Sequence, residues 1–392
     1  MLKRSELARW SVVAGLSLAL LTSNAALTES TPRLNNVAPL TVRTPHRGFN
    51  RMVVSVTVCA PGTGRCATID DVMVDTGSTG LRLEASAVPS SLRLPAFVGP
   101  ESKPLAECLR FVHDTAWGPL HRTNLHIGGM TATDLPIQVI ADDGGPQPAE
   151  CPVSTVRPTS NGTLGIGPWL VDCPGDCEQD DGHPGVFVDR EGTWSPFRGA
   201  VPRAYRLPNP AAAFPGHGNG VSFDLPMPPR DGAAQVVGTL TFGVVAAPDS
   251  LLNKARIVCI DGRGHFTTLY GGKAYPDSYI DSGTETNIIP DADLPRCEGM
   301  SWAFCAIPDR SFTATMVGRG GAGIDLAFMV GDYRGALERR VGAWDGFAEV
   351  NGNSMAFVWG APVFFGRQVS VIFDGRSVPG RDGVIGPAYG IR

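Results

Sequence analysis

Long hydrophobic runs are almost absent from this sequence of 392 residues. Beyond residue 26, no stretch approaches the roughly eighteen uninterrupted apolar residues that a membrane-spanning helix requires. The one apolar run, Trp10–Leu21, follows three basic residues and precedes the small residues of "TSNAA". This order is typical of a secretory signal peptide, here residues 1–26. We expect an exported protein, periplasmic or secreted, without stable membrane insertion; an uncleaved anchor is the alternative.

Charged residues are also scarce, at 18% of the chain, and the formal net charge at pH 7 is -5. Loss of residues 1–26 would lower that charge to about -7. A mildly acidic surface is unsuited to nucleic acid or anionic membranes, so we expect neither as a partner. The hydrophobic fraction of 43% is ample for one large or two medium-sized domains with cores of their own.

Several motifs of hydrolases and nucleotide-binding proteins are missing. The seven histidines form no His-Glu-x-x-His zinc motif, and no Gly-x-Ser-x-Gly of serine hydrolases occurs. The glycine-rich "GRGGAG" at 318–323 lacks the following Lys-Ser/Thr of a phosphate-binding loop. "CPGDC" at 173–177 has the spacing of half a zinc site, without a second close Cys/His pair. The sequence therefore predicts neither a metal centre nor a cofactor.

Helical periodicity is scarce, whereas 48 glycines and 33 prolines indicate many turns. Short alternating or β-branched runs bounded by Gly, Pro, Asp or Asn predict strands. They are "RMVVSVTV", "TIDDVMVD", "TNLHIGG", "LPIQVI", "GVSFDL", "GTLTFGVV", "ARIVCI" and "SVIFD". Short helices are expected only near "RLEASAV" and "DADLP", and residues 168–218 are expected to form long surface loops. These patterns indicate an all-β fold.

Nine cysteines in a chain that we expect to be exported indicate disulfides formed in an oxidising compartment, with one cysteine left over. Cys59 and Cys66 flank the turn-rich "APGTGR" between two predicted strands, which suits a bridge across a hairpin. Sequence alone does not fix the other pairs. The candidates are Cys108 with Cys151, Cys173 with Cys177, and Cys297 with Cys305.

The sequence contains the same acid-bearing turn twice. "VMVDTGSTG" at 72–80 places Asp75 at the end of a hydrophobic run, and "SYIDSGTETN" at 278–287 does the same for Asp281. A carboxylate in such a place is costly unless other groups hold it. Glycine permits close approach of the backbone, and hydroxyls can orient a carboxylate by hydrogen bonds. The residues predicted to support the acids in this way are Thr76, Gly77, Ser78, Ser282, Gly283 and Thr284.

Each acid turn is followed, much farther along the chain, by an apolar segment that carries a glycine. "TLGIG" places Gly165 ninety residues after Asp75, and "FVWGAP" places Gly360 seventy-nine residues after Asp281. The order of strand, acid turn, several strands and glycine segment therefore occurs twice. This repetition predicts two lobes of similar design that face each other.

Two such turns brought together would form a pair of carboxylates. Carboxylates about 3 Å apart cannot both ionise readily, so they share a proton and titrate as a unit. The ionised member can take a proton from a bound water while the protonated member donates to the carbonyl oxygen under attack, which hydrolyses an amide. We therefore predict that Asp75 and Asp281 are catalytic; the alternative is two ordinary strand-end turns with solvated acids.

On these motifs the sequence resembles the pepsin-like aspartic peptidases, and within them an exported bacterial branch largely of unknown function. "NGTLGIG" and "WGAPVFFGRQVSVIFD" are similar to the glycine-bearing segments of the two lobes in that family, and "GTLTFG" and "GVIGPA" also fit. The resemblance covers most of residues 50–392. It implies two pseudo-symmetric, barrel-like β lobes, residues 34–245 and 246–392, with Asp75 and Asp281 at the floor of a central cleft.

The same resemblance implies a peptide or protein substrate bound across the cleft, with Gly165 and Gly360 in the active-site loops, and we expect a monomer. The sequence departs from the family in "RFVHDTAWGPLHRTNLHIGG", which is similar to the hairpin that closes the cleft. Counting back from Gly118 places Phe111, which has no hydroxyl, where the family has a tyrosine. Trp117 is the candidate to cap the cleft instead. The predicted function is an exported aspartic endopeptidase; the alternative is a catalytically weak or inactive binding or structural protein of the cell envelope.

Overall fold

Strands provide nearly all the regular structure in the computed structural model, which describes residues 36–44, 48–111, 115–141, 147–151, 159–173, 185–247, 250, 252–321, 323–353 and 355–392. The described residues belong to one compact unit. The predicted signal peptide, residues 1–26, lies outside them. The all-β prediction is confirmed.

The strands that precede residue 245 are β1 (Val37–Arg43), β2 (Arg51–Cys59), β3 (Cys66–Asp75), β4 (Thr79–Glu84), β5 (Leu105–Arg110), β6 (Thr115–Ile127), β7 (Met130–Ile140), β8 (Gly162–Ile166), β9 (Val186–Arg190), β10 (Thr193–Pro196), β11 (Gly220–Leu225) and β12 (Gln235–Phe242). Those that follow are β13 (Arg256–Cys259), β14 (Phe266–Tyr270), β15 (Lys273–Ile280), β16 (Asn287–Ile289), β17 (Arg296–Cys297), β18 (Met300–Val317), β19 (Gly323–Asp332), β20 (Ala348–Val350), β21 (Val358–Trp359), β22 (Arg367–Ile372) and β23 (Ala388–Ile391). One short α-helix, α1, spans Tyr333–Glu338. Single-turn 3₁₀ helices occur at Ala85–Ala87, Ser90–Leu92, Pro100–Ser102, Arg203–Tyr205, Ala211–Ala213 and Ala361–Phe364.

The strands form two large sheets. Fifteen strands lie in the order β10-β9-β5-β6-β7-β4-β8-β3-β2-β1-β12-β11-β22-β23-β13. The second sheet has eight strands, in the order β14-β15-β21-β16-β20-β18-β17, with β19 paired to β18. The first sheet therefore contains strands from both halves of the chain.

The same four-strand arrangement occurs once in each sheet. In the first, β3 runs parallel to β8, β8 antiparallel to β4, and β4 parallel to β7. In the second, β15 runs parallel to β21, β21 antiparallel to β16, and β16 parallel to β20. The two acid turns connect β3 to β4 and β15 to β16. The repetition predicted from the sequence is thus a repetition of topology.

The innermost strands of these repeats are buried on both faces. All five residues of β8, "GTLGI", are buried, as are both residues of β21. Such strands are covered on both sides and read as continuous apolar runs. By contrast β2 alternates, with Val54, Val56 and Val58 buried while Ser55 is exposed. Because β3 pairs with β2 and β8, and β15 pairs with β21, the burial of these neighbours fixes the register of the two strands that end at the acids.

The first sheet continues across the predicted lobe boundary at 245/246. β11 pairs with β22 over six residues, from Gly220 opposite Ile372 to Leu225 opposite Arg367, and β22 continues to β23 and β13. Three strands from before the boundary, β1, β12 and β11, thus lie beside three from after it. The boundary itself stays a prediction.

The loops predicted for residues 168–218 are only part of what that segment forms. β9 and β10 pair with each other, and β9 also pairs with β5, so these strands extend a hairpin that begins more than seventy residues earlier. Their strand state depends on that distant partner, which the local composition does not reveal. "RLEASAV" forms a 3₁₀ turn at Ala85–Ala87, whereas the helix predicted at "DADLP" is wrong, because residues 291–295 form a bend.

Three predicted disulfides are confirmed: Cys59–Cys66, Cys108–Cys151 and Cys297–Cys305. Cys173 is also disulfide-bonded, and its predicted partner Cys177 lies outside the described residues. Among the described cysteines, Cys259 is free. These bridges indicate an oxidising environment. No helix in the described ranges is long and apolar enough to cross a membrane.

Candidate active site

Asp75, the first of the two predicted acids, is the last residue of β3 and is 5% exposed. Its two carboxylate oxygens are held by the turn that follows. The backbone N–H of Gly77 donates to Oδ1 at 2.7 Å, and the hydroxyl of Ser78 donates to Oδ2. The first turn therefore orients its own carboxylate.

The second turn holds Asp281 in the same way. Asp281 follows directly after β15 and is half-buried. The backbone N–H of Gly283 donates to its Oδ1 at 2.8 Å, and the hydroxyl of Thr284 donates to its Oδ2 at 2.7 Å. Residues two and three positions after each acid thus perform equivalent roles in both turns.

Thr76 and Ser282, which directly follow the acids, join the two turns to each other. The N–H of Thr76 donates to the Ser282 hydroxyl at 3.0 Å, and the N–H of Ser282 donates to the Thr76 hydroxyl at 2.9 Å. Each hydroxyl also donates to a carbonyl of the opposite strand, Thr76 to Ile280 at 3.2 Å and Ser282 to Val74 at 2.8 Å. Both side chains are buried, at 1% and 2% exposure, so four hydrogen bonds shielded from water fix the turns together.

The turn glycines allow each carboxylate to approach the opposite loop. A Cβ on Gly77 would lie 2.8 Å from Cγ of Asp281, and a Cβ on Gly283 would lie 2.7 Å from Oδ1 of Asp75. Real Cβ atoms do not tolerate such distances, so any side chain at either position would displace the opposite carboxylate. The Cβ position of Gly283 also lies 3.2 Å from Oδ1 of Asp281, so the two carboxyl groups are neighbours. The structure thus brings Asp75 and Asp281 together.

The glycines of the two predicted loop segments permit the strand contacts behind the acids. Gly165 lies opposite Asp75 in the β3–β8 register, and a Cβ on it would lie 2.8 Å from both Ser78 Oγ and the Thr79 nitrogen. A Cβ on Gly360 would lie 1.9 Å from the carbonyl oxygen of Thr286. Both positions require glycine because backbone or turn atoms occupy the space of a side chain.

Burial and a neighbouring charge change the pKa of Asp75. Burial, and secondarily the charge of Asp281, raise the pKa of the Asp75 carboxyl to about 7 from 3.8, against the opposing hydrogen bonds from Ser78 and Gly77. Two close carboxyl groups share a proton for this reason. A carboxyl group that stays protonated at mildly acid pH can act as a general acid.

The predicted hairpin is formed by β5 and β6, with Arg110 opposite Thr115. Phe111 directly follows β5 and is half-buried at the start of the connection. Gly118 faces Glu107 across the hairpin, and a Cβ there would lie 2.0 Å from the carbonyl oxygen of Val139 on β7. Gly118 therefore serves the packing of the hairpin against β7.

Trp117 was predicted to cap the cleft, and its packing contradicts that role. It is 5% exposed, and its ring makes edge contacts with Phe187 at 5.2 Å and Trp194 at 5.8 Å between ring centroids. The Cys108–Cys151 disulfide belongs to the same cluster. Trp117 is buried because β9 and β10, which the sequence did not predict, supply aromatic partners on that face of the hairpin.

The segment Gly48–Arg51 also contacts the second acid turn, and sequence reasoning did not identify it. Glu285 directly follows Thr284 and forms an ion pair with Arg51. Asn50 donates to the carbonyls of Glu285 at 3.0 Å and Trp344 at 2.7 Å, and accepts the Trp344 N–H at 2.7 Å. The only signal in the sequence is the charge of Glu285, where the first turn has the neutral Thr79.

Groups of three or more His, Cys, Asp or Glu side chains suited to a metal ion are not found within the described part of the chain.

A comparison with solved structures identifies a similar fold. The chain is similar to the aspartic proteinase from Irpex lacteus, with 13% sequence identity and a TM-score of 0.53 over 91% of this chain and 96% of that one. The fold is that of the pepsin-like aspartic proteinases, an all-β bilobal fold. The chain itself belongs to the family described as "Protein of unknown function (DUF3443)", whose model matches residues 32–389. No curated protein sequence is a significant match.

Proposed function

We propose that this protein is an aspartic endopeptidase that hydrolyses peptide bonds with Asp75, Asp281 and an activated water. One observation carries the proposal: two carboxyl groups from equivalent turns lie beside each other, and each is oriented by a glycine N–H and a hydroxyl. Ordinary strand-end acids in water would need neither the reciprocal Thr76–Ser282 bonds nor the steric fit of Gly77 and Gly283.

In the proposed reaction, the ionised member of the pair takes a proton from a water molecule while the oxygen of that water attacks the peptide carbonyl carbon. The protonated member donates its proton to the carbonyl oxygen, which gives a neutral tetrahedral diol. Proton transfer to the amide nitrogen then allows the C–N bond to break and releases an acid and an amine. Asp75, whose pKa is raised to about 7, suits the role of proton donor.

The raised pKa also predicts the pH range of activity. The pair needs one proton, and Asp75 loses it as the pH rises through about 7. Activity should therefore be present at acid pH and fall towards neutral and alkaline pH.

The proposed substrate is an extended segment of peptide or unfolded protein. Asp75 and Asp281 can reach a scissile peptide bond only where the substrate backbone is extended and not folded. The disulfides agree with action in an oxidising compartment. Export through residues 1–26 and a monomeric state stay predictions.

The test is digestion of a denatured protein and of a peptide library from pH 3 to 8 by the native protein and by Asp75→Asn and Asp281→Asn. Both variants should fold and lose cleavage, whereas Asp382→Asn, at an exposed position, should cleave like the native protein. Undiminished cleavage by either dyad variant would overturn the proposal.

A second candidate function is a non-catalytic peptide-binding protein with the same cleft. Phe111 favours it, because a phenylalanine directly after the first strand of the hairpin cannot donate a side-chain hydrogen bond. Tight binding of library peptides without cleavage at any pH would support this candidate.

A further inference from the structure

Arg82 is a fully buried charge close to the first acid turn. It lies in β4, its side chain is 0% exposed, and its Nη1 donates to the carbonyl oxygen of Thr79 at 2.7 Å. Thr79 directly follows Ser78, which holds the Asp75 carboxylate. The guanidinium of Arg82 is thus one hydrogen bond away from the turn that orients Asp75.

The same guanidinium reaches two further segments. Its Nη2 donates to Glu107 Oε2 at 3.0 Å, and to the carboxylate of Asp172. Glu107 lies in β5, the first strand of the hairpin, and Asp172 lies six residues after β8 ends. A single side chain therefore links the acid turn, the hairpin and the segment behind Gly165.

Gln138 completes the attachment of the hairpin. It lies beside Arg82 in the β4–β7 register and is 0% exposed. Its amide donates to the backbone carbonyl of Glu107 at 2.7 Å and to that of Ala116 at 3.3 Å. Both strands of the hairpin are thereby joined to the sheet that carries the acid turn.

In this cluster two carboxyl groups share one guanidinium. The side chains of Glu107 and Asp172 are 8% and 11% exposed, and both face Arg82. Burial raises the pKa of the Glu107 carboxyl well above its ordinary value, against the lowering effect of Arg82, and the charge of Asp172 raises it further. With Glu107 protonated, one carboxylate and one guanidinium remain, so the buried cluster is neutral.

We propose that Arg82 is a positioning residue that sets the base of the β5–β6 hairpin and the first acid turn in one fixed geometry, so that the orientation of Asp75 depends on Arg82. This inference rests on the proposed peptidase function. The guanidinium is suited to the task because its planar donors reach three acceptors at once, whereas the single ammonium of a lysine does not present the same fork.

The consequence is a specific effect on the proton of Asp75. Its pKa is raised mainly by burial. A looser turn would admit water, and the pKa of Asp75 would move down towards its ordinary value. Loss of Arg82 should therefore move the alkaline limb of the activity profile to lower pH. A purely structural role would lower stability without moving that limb.

The experiment compares kcat and kcat/KM from pH 3 to 8 for the native protein, Arg82→Lys, Glu107→Ala and Glu107→Gln. The matched control is Arg122→Lys, because Arg122 forms a partly exposed ion pair with Asp134 in the neighbouring β6–β7 hairpin, 2.5 Å between Nη1 and Oδ2. We expect Arg82→Lys and Glu107→Ala to lose up to about a hundredfold in kcat/KM, as small displacements of reacting groups do. Their alkaline limb should shift to lower pH, while Glu107→Gln, which mimics the protonated acid, and Arg122→Lys should keep the native profile.

Native kcat and an unmoved alkaline limb in folded Arg82→Lys would overturn the inference. If Arg82→Lys does not fold, the pH profiles of Glu107→Ala and Glu107→Gln test the inference instead. Equal pH profiles for these two variants would also overturn it. If the native protein cleaves nothing at any pH, the proposed function fails instead. The positioning role is then measured through the pH dependence of unfolding, in which Arg82→Lys or Glu107→Ala should show a weaker contribution from Asp75.

Discussion

Thr76 and Ser282 exchange backbone-to-hydroxyl hydrogen bonds of 3.0 and 2.9 Å, although they lie 206 residues apart in the chain. This exchange makes the two acid turns one structural unit. Each residue contributes a hydroxyl that both accepts from the opposite backbone N–H and donates to the opposite strand. Predictions about the site therefore begin with these two side chains.

Replacement of Thr76 by valine should destabilise the protein by about 2 kcal/mol, because the buried N–H of Ser282 loses its acceptor and the carbonyl of Ile280 loses one of its donors. The free energy of unfolding in urea is the measurement. Thr57→Val is the matched control, since Thr57 pairs with Thr68 at an exposed site. Equal losses for both variants would contradict the role given to Thr76.

Asp75 should make the protein more stable at acid pH. Its pKa is raised in the folded state from 3.8 to about 7, so folding favours the protonated form. The stabilisation is complete below about pH 4 and is lost as the pH rises to about 7, with a total on the order of 4 kcal/mol. Asp75→Asn should match the native protein near pH 4 and exceed it at pH 8.

The measurement for this second prediction is the urea midpoint at pH 4 and pH 8. Asp382→Asn, an exposed aspartate, should leave the difference between the two pH values unchanged. An Asp75→Asn variant that kept the full native pH dependence would show that Asp75 does not hold the proton.

Gly360→Ala should destabilise the protein by at least about 2 kcal/mol, because the new Cβ would lie 1.9 Å from the Thr286 carbonyl oxygen and the backbone must shift. Gly352→Ala is the control, since no heavy atom lies within 4 Å of its Cβ position. Thermal or urea unfolding distinguishes the two. A tolerated Gly360→Ala would mean that the loop behind Asp281 is able to move aside.

Phe49→Ala should cost about 3 to 5 kcal/mol. Phe49 is 5% exposed and stacks on Phe347 with 3.8 Å between ring centroids, next to the ion pair of Arg51 with Glu285. The same variant should reduce peptidase activity, because Gly48–Arg51 contacts the second acid turn. Met227→Ala, at a side chain 53% exposed, is the control for unfolding and for activity.

The sequence predicted the acid turns well because their requirements are local. An acid at a strand end needs donors within the next three residues, and both turns supply a glycine and a hydroxyl in the same positions. Strands such as β2 were predictable for a similar reason, since alternation of Val54, Val56 and Val58 with polar residues follows from one buried face.

Trp117 shows where such reasoning stops. Its position in the hairpin sequence is typical of a residue that caps a cleft. Its burial, however, is decided by contacts with Phe187 and Trp194, which lie more than sixty residues away. Phe187 lies in β9, which pairs with β5, and Trp194 lies in β10, which pairs with β9; nothing in the local composition of these strands indicates either pairing.

By itself, the sequence determined the all-β class and the repeated acid turn, because periodicity and turn chemistry act over short distances; it supplied candidate disulfide pairs, three of which the structure confirmed. Only the tertiary structure decided which charges are buried and what they hold. Arg82 with Glu107 and Asp172, and Arg51 with Glu285, join residues that are 25 to 234 positions apart. A buried charge is tolerated only where folding brings its partners together, and the residue type alone carries no trace of those partners.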